Sequence, residues 1–466
     1  MLIKRMQRGA DYCIGMGVDI STIDQKSALR RPLRLLGSLM SLRFLVLRAS
    51  TAAAAVAFGL VQTFVFARVL DAQDFSLYIL VGSLGMSLWL FDLGAAKILY
   101  VRQRALYIAG AKDAAIAAQS TAVVITYAVL VALCTLICLA VMLRRPTVPL
   151  LDAVEFSLFF SFAALNLVWY PLRNVSAAVD EYVHFEGLEA IRRIGHILLM
   201  LAMLIGLPLP AFLVLANGLW FVLLAVAIKR LVHKQALLLK LRGASAALKR
   251  FWHENRRELL RSGNYAAGEL TVYNFPYMIV PAAFGLGAPM IILDTVFKVF
   301  RGATLIYAAG LDPVVPQQTR AYAARDVSTL KKATLTSAIL CAIPTVILCA
   351  LLLVAGDRLF AILLGNAATI PHEVTLILVV LLLANLAQNV ANNLLLHLGF
   401  FHEIARVATF LVIAMAAMTA IVVGAGLGIT GFIAGYAIVY IAGGALYVSY
   451  MVRGPFRIAA AGRTEG

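Results

Sequence analysis

Three charged residues stand in an otherwise apolar stretch, LDTVFKVFRG at residues 293–302. Asp294, Lys298 and Arg301 are spaced i, i+4, i+7, which places them within an arc of about 60° on one helix face. Asp294 and Lys298 have the spacing of an ion pair. Arg301 has no acid at i−4 or i−3 on its own helix. Two readings are open. The first is a structural ion pair with a leftover arginine. The second is a cationic surface that receives an anion, with Asp294 orienting Lys298, because ammonium and guanidinium groups are the usual partners of phosphates.

Further polar residues repeat at helical spacing. In ANLAQNVANNLLLH, Asn385, Gln388, Asn389 and Asn392 form one stripe. Amides offer both donor and acceptor and so suit sugar hydroxyls, or they join helices to one another. Asn166, Trp169, Tyr170 and Arg173 make a second group on one face, fit either to stack on a sugar or to sit in an interfacial belt. Glu269 is a lone acid in an apolar stretch with Tyr273, Asn274 and Tyr277, a candidate for ion coupling. His196 and His397 have no second ligand at i+3 or i+4 and read as hydrogen-bonded helix residues. No catalytic group, metal site or cofactor is expected.

The surrounding solvent decides what these charges mean. Hydrophobic residues make up 62% of the 466 residues and charged ones 14%, with mean hydropathy +0.91. Such a chain has too little polar surface to coat a globule in water, so a multi-pass membrane protein is expected. Residues 114–143, 194–228, 333–356, 374–402 and 407–452 contain no Asp, Glu, Lys or Arg. About 20 apolar residues cross a bilayer. The longest runs therefore split, at LPLP (207–210) and GAGLG (424–428). The expectation is an all-α integral membrane fold of about twelve spans: 49–67, 75–97, 116–143, 150–172, 187–207, 210–228, 264–285, 289–311, 333–355, 373–398, 404–424 and 428–452.

With a cytoplasmic N-terminus, 34 of the 40 Lys and Arg residues fall on the cytoplasmic side, as the positive-inside rule requires. The net charge of +17 is then topology rather than nucleic-acid binding. Residues 1–48 are a basic N-terminal segment, with an interfacial helix at 28–48 held by anionic lipid. No cleavable signal peptide is read there. Residues 49–228 and 263–453 are two six-span halves, joined by the basic cytoplasmic linker 229–262, and 454–466 are a cytoplasmic tail. If the halves are related, their axis runs along the membrane normal. The five cysteines read as packed thiols. No G-x-x-x-x-G-K-[ST] occurs, so an energy source other than a built-in P-loop ATPase is expected.

The stretch FARVLDAQDFSLYILVGSLGMSLWLFDLGAAKILYVR (66–102) resembles the first-to-second helix region of polysaccharide flippases. The matching residues are Arg68 and Leu70, Asp71 and Asp74, Phe75 and Tyr78, and Asp92-Leu93-Gly94. Ser76 departs from the family's glycine. Residues 312–334 resemble the family's loop after the eighth helix, and 426–453 its glycine-rich twelfth helix. The chain is thereby identified as similar to the O-antigen (Wzx-type) branch of the multidrug/oligosaccharidyl-lipid/polysaccharide (MOP) exporters.

The resemblance implies a MATE-like pair of six-helix lobes around a central cavity in the bacterial inner membrane. It also implies a polyprenyl-pyrophosphate-linked oligosaccharide as substrate, moved to the outer leaflet. Membrane lipids and a polymerase or other polysaccharide-assembly proteins are the partners it suggests. Alternatives are a MATE-type small-molecule exporter, for which acids in the cavity are expected, a membrane polysaccharide polymerase, for which a large outer loop is expected, and a non-transporting scaffold.

Overall fold

The computed structural model describes residues 42–110, 113–144, 148–238 and 243–461. The chain divides into two units, Met1–Leu45 and Val46–Gly466, and the second is described below. Of the expected interfacial helix, residues 28–41 lie outside the described residues, and 42–48 are the first turns of the helix that opens the body.

Every expected span falls mainly on helix, but the second, 75–97, ends at Asp92 and turns at Leu93 and Gly94 before a separate helix begins. In the first half the corresponding helices are α1 (Leu42–Val69), α2 (Ala72–Ser87, continued as a 3-10 turn to Asp92), α4 (Ala114–Leu143), α5 with α6 (Leu150–Ala164, Asn166–Ala178), α7 (Tyr182–Met203) and α8 (Leu209–His233). In the second half they are α9 (Ala244–Phe284), α10 (Ala288–Leu311), α12 (Val327–Leu364), α13 (His372–His397), α14 (Phe401–Gly424) and α15 (Gly428–Met451). Each half inserts a short helix after its second span, α3 (Ala95–Ile108) and α11 (Val315–Ala323). The order of elements thus repeats where the sequence shows no clear repeat. Helices pack as α2 on α5 and α4 on α5 in the first lobe, and as α13 and α14 on α15 in the second.

Among the described residues, nine helices are long and apolar enough to cross a membrane. Helices α7, α9 and α10 fall outside that group; α7 carries Glu189, Arg192 and Arg193, and α10 carries Asp294, Lys298 and Arg301. The chain is a multi-pass membrane protein.

Local chemistry explains the breaks. The Asp92 carboxylate accepts from the backbone N–H of Gly94 and Ala96, each at 3.1 Å, and so satisfies donors at the start of α3. Tyr127 Oη donates to the same carboxylate at 3.0 Å. Leu93 and Gly94 turn the chain with φ of 46° and 80°, a conformation glycine adopts without steric cost. The Asp-Leu-Gly motif is therefore a capped corner. Asp113 and Asp326 cap α4 and α12 in the same way, accepting from Ala115 N and from Ser328 N and Thr329 N. Gly85 permits the close approach of α2 to α5, since a Cβ there would lie 2.8 Å from the Phe160 carbonyl oxygen. Of the cysteines, Cys341 and Cys349 are buried free thiols, Cys134 and Cys138 are half-buried free thiols, and Cys13 lies outside the described residues.

The expected linker 229–262 is not one loop. Helix α8 continues to His233, and α9 begins at Ala244 and runs unbroken into its span. Glu181, just before α7, pairs with Arg230 at 3.0 Å and Lys234 at 2.7 Å. Burial raises its carboxyl pKa, but these two bases outweigh it, and the group is held below the ordinary carboxylate range. On the opposite side, Arg68 joins the lobes. Its guanidinium donates to the carbonyls of Ile362 at 2.6 Å and Leu363 at 3.3 Å in the last turn of α12, where helix carbonyls lack intrahelical partners.

Candidate functional site

The charges of α10 lie where the lobes meet. Asp294 is buried, and its carboxylate pairs with Lys298 Nζ at 2.6 Å. It also accepts from Tyr277 Oη of α9 at 3.1 Å. Lys298 Nζ donates to Thr63 Oγ1 of α1 at 2.9 Å, so this ammonium links the two lobes. Helix α1 permits the approach at Gly59, which faces the Lys298 side chain.

Arg301 is held differently. Its Nη2 donates to the Tyr273 carbonyl and to Asn274 Oδ1, the latter at 3.1 Å. The guanidinium carbon lies 5.1 Å from the Tyr277 ring centre, 5.7 Å from that of Tyr273 and 5.8 Å from that of Phe297. Aromatic faces stabilise such a cation without neutralising it. Among the described residues no carboxylate pairs with Arg301, and its Nε has no protein partner. One edge of the fork is therefore fixed in direction, and donors remain for an anion. The set Asp294, Lys298 and Arg301 carries one net positive charge. Tyr440 extends the wall from α15, with its hydroxyl 3.3 Å from that of Tyr273.

The amide stripe divides into two roles. Asn385 is fully buried. Its Nδ2 donates to Thr304 Oγ1 at 3.0 Å and the Phe300 carbonyl at 3.3 Å, and its Oδ1 accepts from Tyr440 Oη at 2.9 Å and Asn389 Nδ2 at 2.7 Å. It joins α10, α13 and α15. Gln388 Oε1 and Asn392 Oδ1, by contrast, are buried acceptors with no protein partner. Each neutral hydrogen bond contributes about 0.5–1.5 kcal/mol. Asn385→Leu is therefore expected to lower the thermal midpoint of purified protein clearly more than Asn392→Leu does. Equal midpoints would reject this division.

The fourth span is also divided. Trp169 stands about one helical turn before Arg173 on α6. It is buried in the first lobe, its ring centre 4.3 Å from Phe185 and 5.5 Å from Trp220. It lies about 100° around the helix from Tyr170, and the edge of the packed interior falls between them. Asn166 Nδ2 donates to the Ala163 carbonyl at 3.0 Å, at the break between α5 and α6. Pro171 inside α6 cannot donate to that helix's ladder. Arg173 is partly exposed and pairs with Glu186 at 2.6 Å, whose other oxygen accepts from Thr51 of α1 at 3.0 Å. Of Glu269 only the backbone is described; its side chain lies outside the described residues.

A second charged group was missed by the sequence reading, which counted Arg192 and Arg193 with the basic side of the membrane. They lie about 15 Å along α7 from its start, at 1.5 Å per residue. Arg192 grips Glu189 with two bonds, at 2.8 and 2.6 Å, and Arg193 adds a third at 2.7 Å. The Arg192 guanidinium sits 4.2 Å from the Trp220 ring centre. His196 follows one turn on, against the Ala216 carbonyl at 3.2 Å. With Glu186 and Arg173 this group also carries one net positive charge. The signal was present: Glu186, Glu189, Arg192, Arg193 and His196 fall on one arc of about 120°.

No family model matches the chain, and no curated protein does. Solved structures do. An inward-facing multidrug resistance MATE family transporter of the MOP superfamily aligns with TM-score 0.69 at 12% identity, over 91% of this chain and 100% of the other. A Vibrio cholerae MATE transporter aligns with 0.62 at 14% identity, over 91% and 99%. A MOP superfamily transporter from Pyrococcus furiosus, described as having a binding pocket of reversed polarity, aligns with 0.61 at 11% identity, over 92% and 97%. The chain therefore has the MATE-like fold. Identities this low carry the fold and nothing finer.

Proposed function

We propose that this protein is a transporter that flips a polyprenyl-pyrophosphate-linked oligosaccharide from the cytoplasmic to the outer leaflet of the bacterial inner membrane, in cell-surface polysaccharide biosynthesis. The observation that carries the reading is Arg301: a guanidinium held on one edge, walled by aromatic rings and without a carboxylate partner among the described residues. A pyrophosphate supplies the missing anion, and Lys298 adds a second cation one turn away. The unpartnered acceptors of Gln388 and Asn392 suit glycan hydroxyls. Arg173, the cation expected from the first lobe, is already paired with Glu186.

A small-molecule exporter of the MATE type would share this fold. An organic cation needs an available acid, whereas Asp294 is already engaged by Lys298 and Tyr277. The test is uptake into vesicles of purified protein, comparing lipid-linked oligosaccharide with an organic cation. Movement of the cation alone would reject the flippase reading.

The orientation follows the basic ends of the helices, with the linker cytoplasmic. A single cysteine at Ser245, with native cysteines replaced, is expected to resist impermeant thiol reagents added outside intact cells. Labelling without lysis would reverse the orientation.

A further inference from the structure

A cavity of ≈ 460 Å³ lies away from the charges of α10, between the end of α2, α4 and the extramembrane part of α9. Its walls are mostly apolar and include Phe91, Leu93, Val123, Leu248 and Trp252, and Lys249 and His253 also line it. We infer that this cavity is a phospholipid site, in which an acyl chain occupies the apolar walls and an anionic headgroup meets Lys249 and His253.

The α9 segment has the form such a site needs. Phe251, Asn255 and Leu259 are buried along one stripe, while Lys249, Arg250, His253, Arg256 and Arg257 are exposed. An amphipathic helix of this kind lies at a bilayer surface and attracts anionic lipid. Residues 244–262 hold five Lys or Arg and two Glu. Of those acids, Glu254 is engaged by Arg102 at 2.8 Å and Gln119 at 3.3 Å, which fix α9 against α3 and α4. Glu258 is exposed. Asp92, the acid in the cavity wall, is saturated by Gly94, Ala96 and Tyr127. Trp252 and Phe91 stay substantially exposed beside the bases, as aromatic residues do at headgroup level. Charge therefore favours an anionic phospholipid over a zwitterionic one. Helix α4 belongs to one lobe and α9 to the other, so the bound lipid would touch both.

The test uses delipidated full-length protein, with retention of added lipid read by native mass spectrometry. Phosphatidylglycerol and phosphatidylcholine of identical chains are compared. Wild type should hold phosphatidylglycerol about fivefold or more tightly, and Lys249→Gln should lose about fivefold for that lipid alone. Val123→Trp, which fills the apolar wall, should weaken both lipids. If it fails to fold, Leu248→Trp serves the same purpose. Equal retention of the two lipids by wild type would overturn the proposal, as would unchanged retention by Lys249→Gln. Displacement of phosphatidylglycerol by polyprenyl phosphate at lower concentration would also overturn it, and would assign the cavity to a prenyl carrier.

Discussion

Arg301→Ala is expected to lower transport of lipid-linked oligosaccharide by about two orders of magnitude while the protein still reaches the membrane. Hydrogen bonds to charged groups contribute about 1.5–3 kcal/mol each, and a guanidinium meets a phosphate with two. The substitution also frees the Tyr273 carbonyl and Asn274 Oδ1, so rates must be normalised to folded protein. Arg301→Lys should recover only part of the rate, because a point charge replaces a planar fork and loses its seat among the three rings. Wild-type transport by Arg301→Ala would remove this residue from the mechanism. The companion substitution addresses the ion pair. If Asp294 and Lys298 are only structural, replacing both with neutral residues of similar size preserves transport, since the two charges vanish together. If Lys298 contributes to the anion surface, the double variant loses it.

Glu189→Gln is expected to act on folding instead. Glu189 and Arg192 are both buried, and the carboxylate also holds Arg193. Removing one partner of a buried pair costs about 3–5 kcal/mol, because the other charge is left without compensation. The yield of monodisperse protein should fall sharply and its thermal midpoint with it. Glu189→Leu with Arg192→Met should be milder, since both buried charges go together. An unchanged midpoint for Glu189→Gln would show that the two arginines find other partners. The contrast with Arg301→Ala separates two net-positive clusters of similar composition: one closes on itself inside a lobe, the other leaves donors unmatched between lobes.

The sequence by itself determined several features that depend on short separations along the chain. The spans follow from runs of apolar residues, and the turns at 207–210 and 424–428 from proline and glycine. The Asp294–Lys298 pair follows from one helical turn. Each is a local property, so each was legible without a fold. Periodicity also placed residues at angles around a helix axis.

Only the tertiary structure decided which angle faces what. Trp169 and Tyr170 are neighbours in sequence, yet one is buried against Phe185 and Trp220 and the other is half-buried against Trp89. Asn385 and Asn392 share a stripe, yet only the first is saturated by neighbouring helices. The charges of α7 look like a basic membrane edge until Trp169, Trp220 and the Ala216 carbonyl close around them. Thr63 and the Tyr273 carbonyl, the partners of Lys298 and Arg301, lie 235 and 28 residues away. In a helical membrane protein lipid and protein interior are both apolar. Hydrophobicity therefore marks the spans but cannot say which side of a helix meets lipid, which meets another helix and which meets a ligand; packing makes that assignment.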